Sequence, residues 1–296
     1  MQGISPCIWF NNNIEEAVNC YTMLFANSSI GKIAHYQKEA AAISGQPEGA
    51  ILTMAFRLAG QDFLALNGGP YYSLTPAISF FVSCDTEAEL DALWAGLSEN
   101  GMALMPLAEY PFSKKFGWLQ DRFGVSWQLN LAPRKQKIAP FFLFVKEQHG
   151  RAAEAMEFFT SVFEGGKTGS IERFGAGEHE PEGSVKHGIF ELAGQEFMAS
   201  ESAMNHAFTF TGAISLMVYC DSQHEIDHYW YTLISGGGKE SMCGWLEDKF
   251  GISWQIVPTC LDKLMADPKR GNRVMQALLQ MRKLDIDALK KAHGEA

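Results

Sequence analysis

The sequence predicts an α+β chain of two tandem domains, each made of paired βαβββ units, followed by a helical extension at the C-terminus. Three observations lead there. The chain has 296 residues, about twice an ordinary domain, so two cores fit better than one. It also repeats itself: Gly117-Trp118-Leu119-Gln120-Asp121-Arg122-Phe123-Gly124-Val125-Ser126-Trp127-Gln128 returns as Gly244-Trp245-Leu246-Glu247-Asp248-Lys249-Phe250-Gly251-Ile252-Ser253-Trp254-Gln255, identical at nine of the twelve positions. Within each copy, finally, strand and helix periodicity alternate.

The repeat is colinear. Glu16-Ala17 to Phe25 matches Glu154-Ala155 to Phe163, Pro47-Glu48-Gly49 matches Pro181-Glu182-Gly183, Leu58-Ala59-Gly60-Gln61 matches Leu192-Ala193-Gly194-Gln195, and Ala77-Ile78-Ser79 matches Ala213-Ile214-Ser215. A period of roughly 130 residues is a duplicated domain and not a solenoid unit. Ala132 to Lys137, a proline followed by cations, reads as the linker. The domains are therefore residues 1–133 and 134–258, with a tail at 259–296.

The first copy justifies the elements in order. Ile4 to Phe10 is a short apolar run suited to a buried strand, and Asn11-Asn12-Asn13 ends it and can cap a helix from about Ile14 to Phe25. Ile30 to Tyr36, Ala50 to Leu58 and Phe63 to Leu66 read as strands, with Ala59 to Asp62 as a hairpin turn. The pattern restarts at the strand Ile78 to Val82. A helix follows from about Thr86 to Ser98, with Leu90, Leu93, Trp94 and Leu97 on one face, then strands near Leu104, Trp118 and Ser126 to Leu129. One domain thus holds two βαβββ units and the chain holds four.

Composition narrows the function classes. Apolar residues make up 47% and charged residues 20%, too apolar for a disordered chain. A net charge of −10 repels phosphate backbones, so nucleic acid is not an expected partner. Apolar runs such as Phe141 to Val145 are far shorter than a membrane span needs, and Met-Gln-Gly offers no basic signal region. A cytoplasmic protein with no membrane partner is expected. The six cysteines form no C-x-x-C pair and read as reduced, mostly packing thiols.

A doubled βαβββ unit ending in G-W-L-x-D-x-F-G-x-S-W-Q resembles the PhnB-like branch of the vicinal oxygen chelate superfamily. The resemblance extends into the tail at Asp267-Pro268, Arg273 to Ala277 and Met281 to Leu289. It implies that each domain curls its strands around a concave cleft. Enzymes of the wider superfamily bind a divalent metal there through His, Glu or Gln. Carried over, those places fall on Pro6, Ala65 or Asn67, Ser79 and Gln128, and on Pro140, Ala199 or Glu201, Ser215 and Gln255. Proline has no donor, and one amide with one hydroxyl is a weak set for a first-row metal. The expectation is therefore no metal, no cofactor, and a small-molecule ligand held in one or both clefts. The site would be Ser79 and Gln128 walled by Phe10 and Trp118, and in the second copy Ser215 and Gln255 walled by Phe144 and Trp245. Strand alternation puts Pro6, Ile8 and Phe10 on one face and Cys7 and Trp9 on the other. The competing expectations are a metal-dependent lyase, isomerase or dioxygenase, a structural protein whose clefts are filled by its own side chains, and a methyltransferase. The last is a label such families often carry, but no G-x-G-x-x-G follows a strand.

Several other motifs are less than they look. His224-Glu225-Ile226-Asp227-His228 matches the H-E-x-x-H of zinc peptidases, but its counterpart is Ala88-Glu89-Leu90-Asp91-Ala92 and both histidines fall on the solvent side of a helix. Ser235-Gly236-Gly237-Gly238-Lys239 lacks the spacing of a phosphate loop and reads as a turn. His179, His187 and His206 show no common spacing, and Cys243 is a nucleophile candidate in one copy only. In the tail, Val274, Leu278, Met281 and Leu284 form an apolar stripe on one helix. That stripe is expected to pack across the domain junction or onto a second subunit, which makes a homodimer possible.

Overall fold

The computed structural model describes residues 3–294. Four βαβββ units follow one another. Unit I is β1 (Ile4–Phe10), α1 (Ile14–Leu24), β2 (Ser29–His35), a short inserted helix α2 (Lys38–Ser44), β3 (Ile51–Leu58) and β4 (Gln61–Asn67). Unit II is β5 (Ile78–Cys84), α3 (Glu87–Ser98), β6 (Met102–Tyr110), β7 (Ser113–Gln120) and β8 (Ser126–Leu131). Unit III is β9 (Ile138–Val145), α4 (Ala152–Val162), β10 (Lys167–Arg173), β11 (Val185–Leu192) and β12 (Gln195–Ser202). Unit IV is β13 (Ile214–Cys220), α5 (Gln223–Leu233), β14 (Lys239–Glu240), β15 (Trp245–Glu247) and β16 (Ser253–Pro258). The tail carries α6 (Leu261–Leu264), α7 (Pro268–Leu278) and α8 (Ile286–His293).

The two units of one sequence copy do not share a sheet. The outer sheet runs β14-β15-β16-β13-β1-β4-β3-β2 and joins units I and IV, while the inner sheet runs β10-β11-β12-β9-β5-β8-β7-β6 and joins units II and III. The seams are antiparallel: Cys7 lies opposite Ser215 between β1 and β13, and Ser79 opposite Phe141 between β5 and β9. Each copy is instead held together through the helix-bearing faces of its units. In the first copy Phe63 of β4 meets Phe80 of β5 with ring centroids 5.2 Å apart, and Tyr21 of α1 lies 5.3 Å from Trp127 of β8. In the second copy Phe159 of α4 lies 5.4 Å from Trp254 of β16. Each copy thus supplies a core, and each sheet needs both copies.

The repeated motif proves to be a staple of this core. Asp121 Oδ1 accepts the backbone N–H groups of Phe123 and Val125 at 2.9 and 3.0 Å, and Oδ2 accepts the Trp127 indole at 2.8 Å and the Tyr21 hydroxyl at 2.7 Å. Asp248 takes Phe250, Ile252 and Trp254 in the same way at 2.8, 3.0 and 2.8 Å. Gly124 and Gly251, at φ +92° and +88°, make the turn that points those N–H groups inward, a backbone shape glycine adopts without strain. On the helix-free face of β7 and β8 stand the motif's first tryptophan, Trp118, with Gln120, Ser126 and Gln128.

Two expectations about local structure change. Asn13 stands at the start of α1 but its side chain makes no capping bond. In the tail, Val274 and Leu278 lie on α7 whereas Met281 and Leu284 lie in the segment before α8, so the stripe is broken between them. The four residues still gather, with Leu264 and Leu289, into one small apolar cluster. No helix among the described residues is long and apolar enough to cross a membrane.

Candidate ligand clefts

The faces of the two sheets follow from alternation along β1 and β9. Ile4, Ile8 and Phe10, like Ile138, Phe142 and Phe144, join the helix-side core. Cys7, and Ala139, Phe141, Leu143 and Val145, face the other way. Phe10 and Phe144 are therefore core residues, 2% and 1% exposed, and do not wall a cleft. Phe144 packs edge-on against Phe210 and Phe250. Pro6 and Pro140 stand on that same helix side by alternation, and Ala65 and Ala199 belong to its core. The superfamily register was thus one residue off on these strands, and a one-residue offset moves a side chain to the opposite face. The positions that do face the clefts are Cys7 and Leu64 in unit I, and Phe141 and Met198 in unit III.

The inner cleft gathers Ser79, Trp118 and Gln128. Gln128 Nε2 donates to Ser79 Oγ at 2.8 Å, and the Trp118 indole donates to Ser126 Oγ at 2.8 Å. Around them runs a file of rings across the sheet. Phe112 to Phe116 is 5.1 Å, Phe116 to Phe81 is 6.4 Å, Phe81 to Phe141 is 6.3 Å, and Phe141 to the His187 imidazole is 6.4 Å. Phe81, Phe116, Phe141 and Met198 are buried, whereas Trp118, Tyr110, Met105, Ile189 and Phe208 at the margin are partly exposed. The floor of this face is thus apolar and buried with a half-exposed rim, the kind of lining small-molecule sites have. Asn130, paired with Phe116 across β7 and β8 and so on the same face, keeps its Oδ1 buried without a hydrogen-bond partner. Burial holds His187 below its ordinary pKa, and the charge of Arg134 acts in the same direction, so the ring is neutral near pH 7.

The outer cleft repeats part of this. Gln255 Nε2 donates to Ser215 Oγ at 2.9 Å, and Trp245 shares their face through its pairing with Gln255. Here, however, the rest of the floor is Cys7, Met217, Val257, Leu64, Leu66 and Tyr219. Burial pushes the Cys7 thiol up to about 12 although Gln255 and Ser215 beside it pull the other way, so it is a thiol and not a thiolate. At one end Trp9 meets Trp245 edge-on at 6.0 Å and Tyr72 at 5.0 Å. The close fit of Trp9 rests on Gly68, where a Cβ would lie 2.1 Å from the indole.

Neither donor set fits the metal that the superfamily implies. The inner cleft offers an amide and a hydroxyl beside Phe141 and Met198 and, across the sheet, the single imidazole of His187, and the outer adds only a thiol that burial keeps protonated; a first-row metal asks for several imidazole, carboxylate or thiolate donors together. Glu201, the strongest donor carried over by resemblance, is spent: its two oxygens accept the N–H groups of Ala152 and Val185 at 2.7 and 2.6 Å. Among the described residues no three of His, Cys, Asp and Glu group closely enough to hold a metal ion.

The H-E-x-x-H pair and the glycine run lie away from both clefts, whereas His206 touches the inner margin through Phe208. His224 and His228 are exposed on α5. They border a groove of about 470 Å³ together with Val162, Phe163, Glu164 and Tyr229. Glu225 closes a capping box with Ser222, and His228 Nε2 lies 3.1 Å from the Val162 carbonyl oxygen. Ser235 to Lys239 joins α5 to β14. Cys243 is held at φ +61° and burial raises its thiol to about 11, which disfavours a nucleophile. His206 packs on Phe208 at 4.9 Å and lies 3.0 Å from Ser202 Oγ, and His179 packs on Phe174 at 5.2 Å. The aromatic file and Asn130 were not singled out from sequence, although the alternation in Phe141-Phe142-Leu143-Phe144-Val145 carries half of it.

The family model described as 3-demethylubiquinone-9 3-methyltransferase matches residues 2–130 and again 136–257. Among solved structures, a putative 3-demethylubiquinone-9 3-methyltransferase, PhnB protein, from Bacillus cereus is 42% identical over 43% of this chain and 98% of its own, with a TM-score of 0.40. A protein from Pseudomonas aeruginosa is 25% identical over 43% of this chain and 94% of its own, with a TM-score of 0.36. Glyoxalase I from Zea mays is 8% identical but spans 87% of this chain and 93% of its own, with a TM-score of 0.53, a likeness of fold alone. No curated protein matches the chain.

Proposed function

The chain belongs to the family described as 3-demethylubiquinone-9 3-methyltransferase, a PhnB-like family of the vicinal oxygen chelate superfamily, and from that premise we propose that it binds a small, flat, apolar molecule without a metal, in the inner cleft. The observation that carries this reading is the file of rings from Phe112 to His187 on the helix-free face of the inner sheet. Stacked and edge-on rings at these separations offer a planar guest face after face, and burying its apolar surface supplies the driving force. Two polar points would orient it. The orphan Oδ1 of Asn130 asks for a donor, because a buried acceptor left unpaired costs about 1–3 kcal/mol. The Ser79–Gln128 pair stands beside it, Gln128 lying two residues before Asn130 on the same face of β8.

The family's description names a methyl transfer, but this chain offers no support for one through S-adenosylmethionine. Both sheets are mixed, and no glycine-rich loop joins a strand to a helix in the manner of dinucleotide-type folds. A metal-dependent lyase, isomerase or dioxygenase is disfavoured by the donor sets of the two clefts.

The test is titration of the full chain with planar aromatic compounds that differ only in carrying or lacking an N–H or O–H donor, read by isothermal titration calorimetry. Saturable binding is expected, at least tenfold tighter for the donor-bearing members, and Asn130→Leu should erase that tenfold preference. Binding that ignores both ring shape and Asn130 would overturn the reading.

A further inference from the structure

The tail lies over the helix-free face of the outer sheet and reaches both of its flanks. Leu261 of α6 packs onto the floor formed by Cys7, Met217 and Val257. On the far side Asp262 pairs with Lys32 of β2 at 3.0 Å, and Met275 of α7 packs on Tyr36, Ala40 and Ala41 around α2. The inner sheet has no such cover, because the first copy has no tail. We propose that residues 259–294 are a hinged cover over a second ligand cleft, which opens from the unit I side and then takes an apolar guest of the same class as the inner cleft.

The hinge side follows from unequal attachments. Toward unit IV the tail is tied by backbone: Cys243 and Gly244 donate to the carbonyls of Met281 and Arg282, both at 2.7 Å. Gln223 adds two bonds, to Leu284 O at 3.1 Å and from Ile286 N at 2.9 Å, and Lys283 pairs with Asp227. Toward unit I the contacts described include an ion pair whose side chains are 52% and 81% exposed, the kind that contributes little, a long bond from Lys32 Nζ to the Asp262 carbonyl at 3.4 Å, and a small apolar patch around Met275; none of these is a backbone-to-backbone bond. The tail also carries its own cluster of Leu264, Val274, Leu284 and Leu289, so it can swing without dismantling itself. What it covers is built as the inner site is, with Gln255 on Ser215 in place of Gln128 on Ser79, and Trp9 and Trp245 at one end. The cover stands on its own geometry; the guest's class rests on the reading of the inner cleft.

The experiment uses the full chain and the double variant Lys32→Glu, Met275→Glu, which loosens the unit I side and touches neither the tail's own cluster nor either cleft. Cys7, 1% exposed under the cover, is the reporter, followed by iodoacetamide labelling and peptide mapping. Labelling at least tenfold faster than in the unaltered chain is expected, together with one additional equivalent of bound 8-anilinonaphthalene-1-sulfonate. The gain of one equivalent is the readout, whether the unaltered chain binds one or none, so failure of the inner-cleft reading would show separately. A folded variant with unchanged Cys7 labelling, or with faster labelling and no added equivalent, would overturn the proposal. Hydrogen exchange on the unaltered chain gives a second check. Amides of α7 should exchange faster than those of Cys243 and Gly244, and the opposite order would place the hinge on the wrong side and sink the idea.

Discussion

Tyr21 and Phe159 are equivalent positions in the two copies, and they differ by one hydroxyl that reaches a buried carboxylate. In the first copy that hydroxyl donates to Asp121 Oδ2 at 2.7 Å. In the second, Asp248 keeps its other three donors, and Phe159 occupies the ring position with nearly the same geometry: 5.4 Å and 58° to Trp254, against 5.3 Å and 63° for Tyr21 to Trp127. Burial pushes Asp248 up to about 7 against the pull of Trp254, Ile252 and Phe250. Burial also raises Asp121, with Tyr21 the first of the groups that hold it down. A hydrogen bond to a charged group contributes about 1.5–3 kcal/mol, which corresponds to roughly 1–2 units of pKa. Tyr21→Phe should therefore destabilise the chain by about 1.5–3 kcal/mol at pH 8 and raise Asp121 further. Phe159→Tyr should stabilise it by about 1 kcal/mol or more, once the cost of fitting an oxygen into a packed site is taken off.

The pH dependence has a definite sign. A carboxyl whose folded pKa is raised binds more protons in the native state than in the unfolded chain, so stability is full below the unfolded value and falls as pH rises toward the folded one. For Asp248 that window runs from its ordinary 3.8 to about 7. Phe159→Tyr lowers the upper limit, so its benefit should appear at pH 8 and fade by about pH 5 as the carboxyl protonates. Denaturant midpoints of variant and unaltered chain, compared at each pH, measure this. A Tyr21→Phe midpoint unchanged at pH 8, or a Phe159→Tyr effect equal at both pH values, would refute the reasoning.

Gln128→Leu should abolish binding of an inner-cleft ligand that bonds the amide, at a stability cost of about 1 kcal/mol for the lost Ser79 bond; titration and a melting curve read the two effects separately. Protein purified without an affinity tag should carry no stoichiometric zinc, iron, nickel or manganese, and elemental analysis showing one equivalent per sheet would contradict the donor argument. Replacing His224 and His228 together by Ala should leave inner-cleft binding unchanged and cost about 0.5–1.5 kcal/mol of stability at most, for the bond between His228 and the Val162 carbonyl. Gly117→Ala should destabilise by about 1–3 kcal/mol, because the new Cβ would lie 2.4 Å from the Trp94 ring. Circular dichroism melts decide it.

Much of the fold was legible because local rules agreed with it. The strands and helices of the first copy begin and end within a few residues of their expected bounds, and the duplication follows from colinear matches alone. Which units share a sheet was not legible. Residues on β1 and β5 announce a buried strand equally well whether the neighbour across the seam is the next unit or the farthest one, since hydrophobic alternation fixes a face and not a partner. The site was half legible for the same reason. Gln128 and Ser79, named together from the sequence, are hydrogen-bonded, but Phe10, named as their wall, is turned by the alternation of β1 into the helix-side core of the other sheet. The strongest sequence signal, the doubled G-W-L-x-D-x-F-G-x-S-W-Q, owes most of its repetition to a carboxylate that staples a turn to a core tryptophan.

The exchange of units between sheets explains why two copies in one chain need not carry two equal sites. If the same packing were made by two identical single-copy chains, both clefts would be lined by the same residues, because each would combine one unit of either type from each chain. Fusion releases that constraint, since every cleft residue is now encoded once. The facing positions have diverged accordingly: Phe141 and Met198 on one floor correspond to Cys7 and Leu64 on the other, and Asn130 corresponds to Val257. The polar pair of glutamine and serine stays in both. A substitution at Val257 that restores an asparagine should therefore give the outer cleft the donor preference of the inner one, but only in the chain whose cover has been loosened by Lys32→Glu and Met275→Glu. The same preference appearing with the cover closed would mean that the guest reaches this floor by another route.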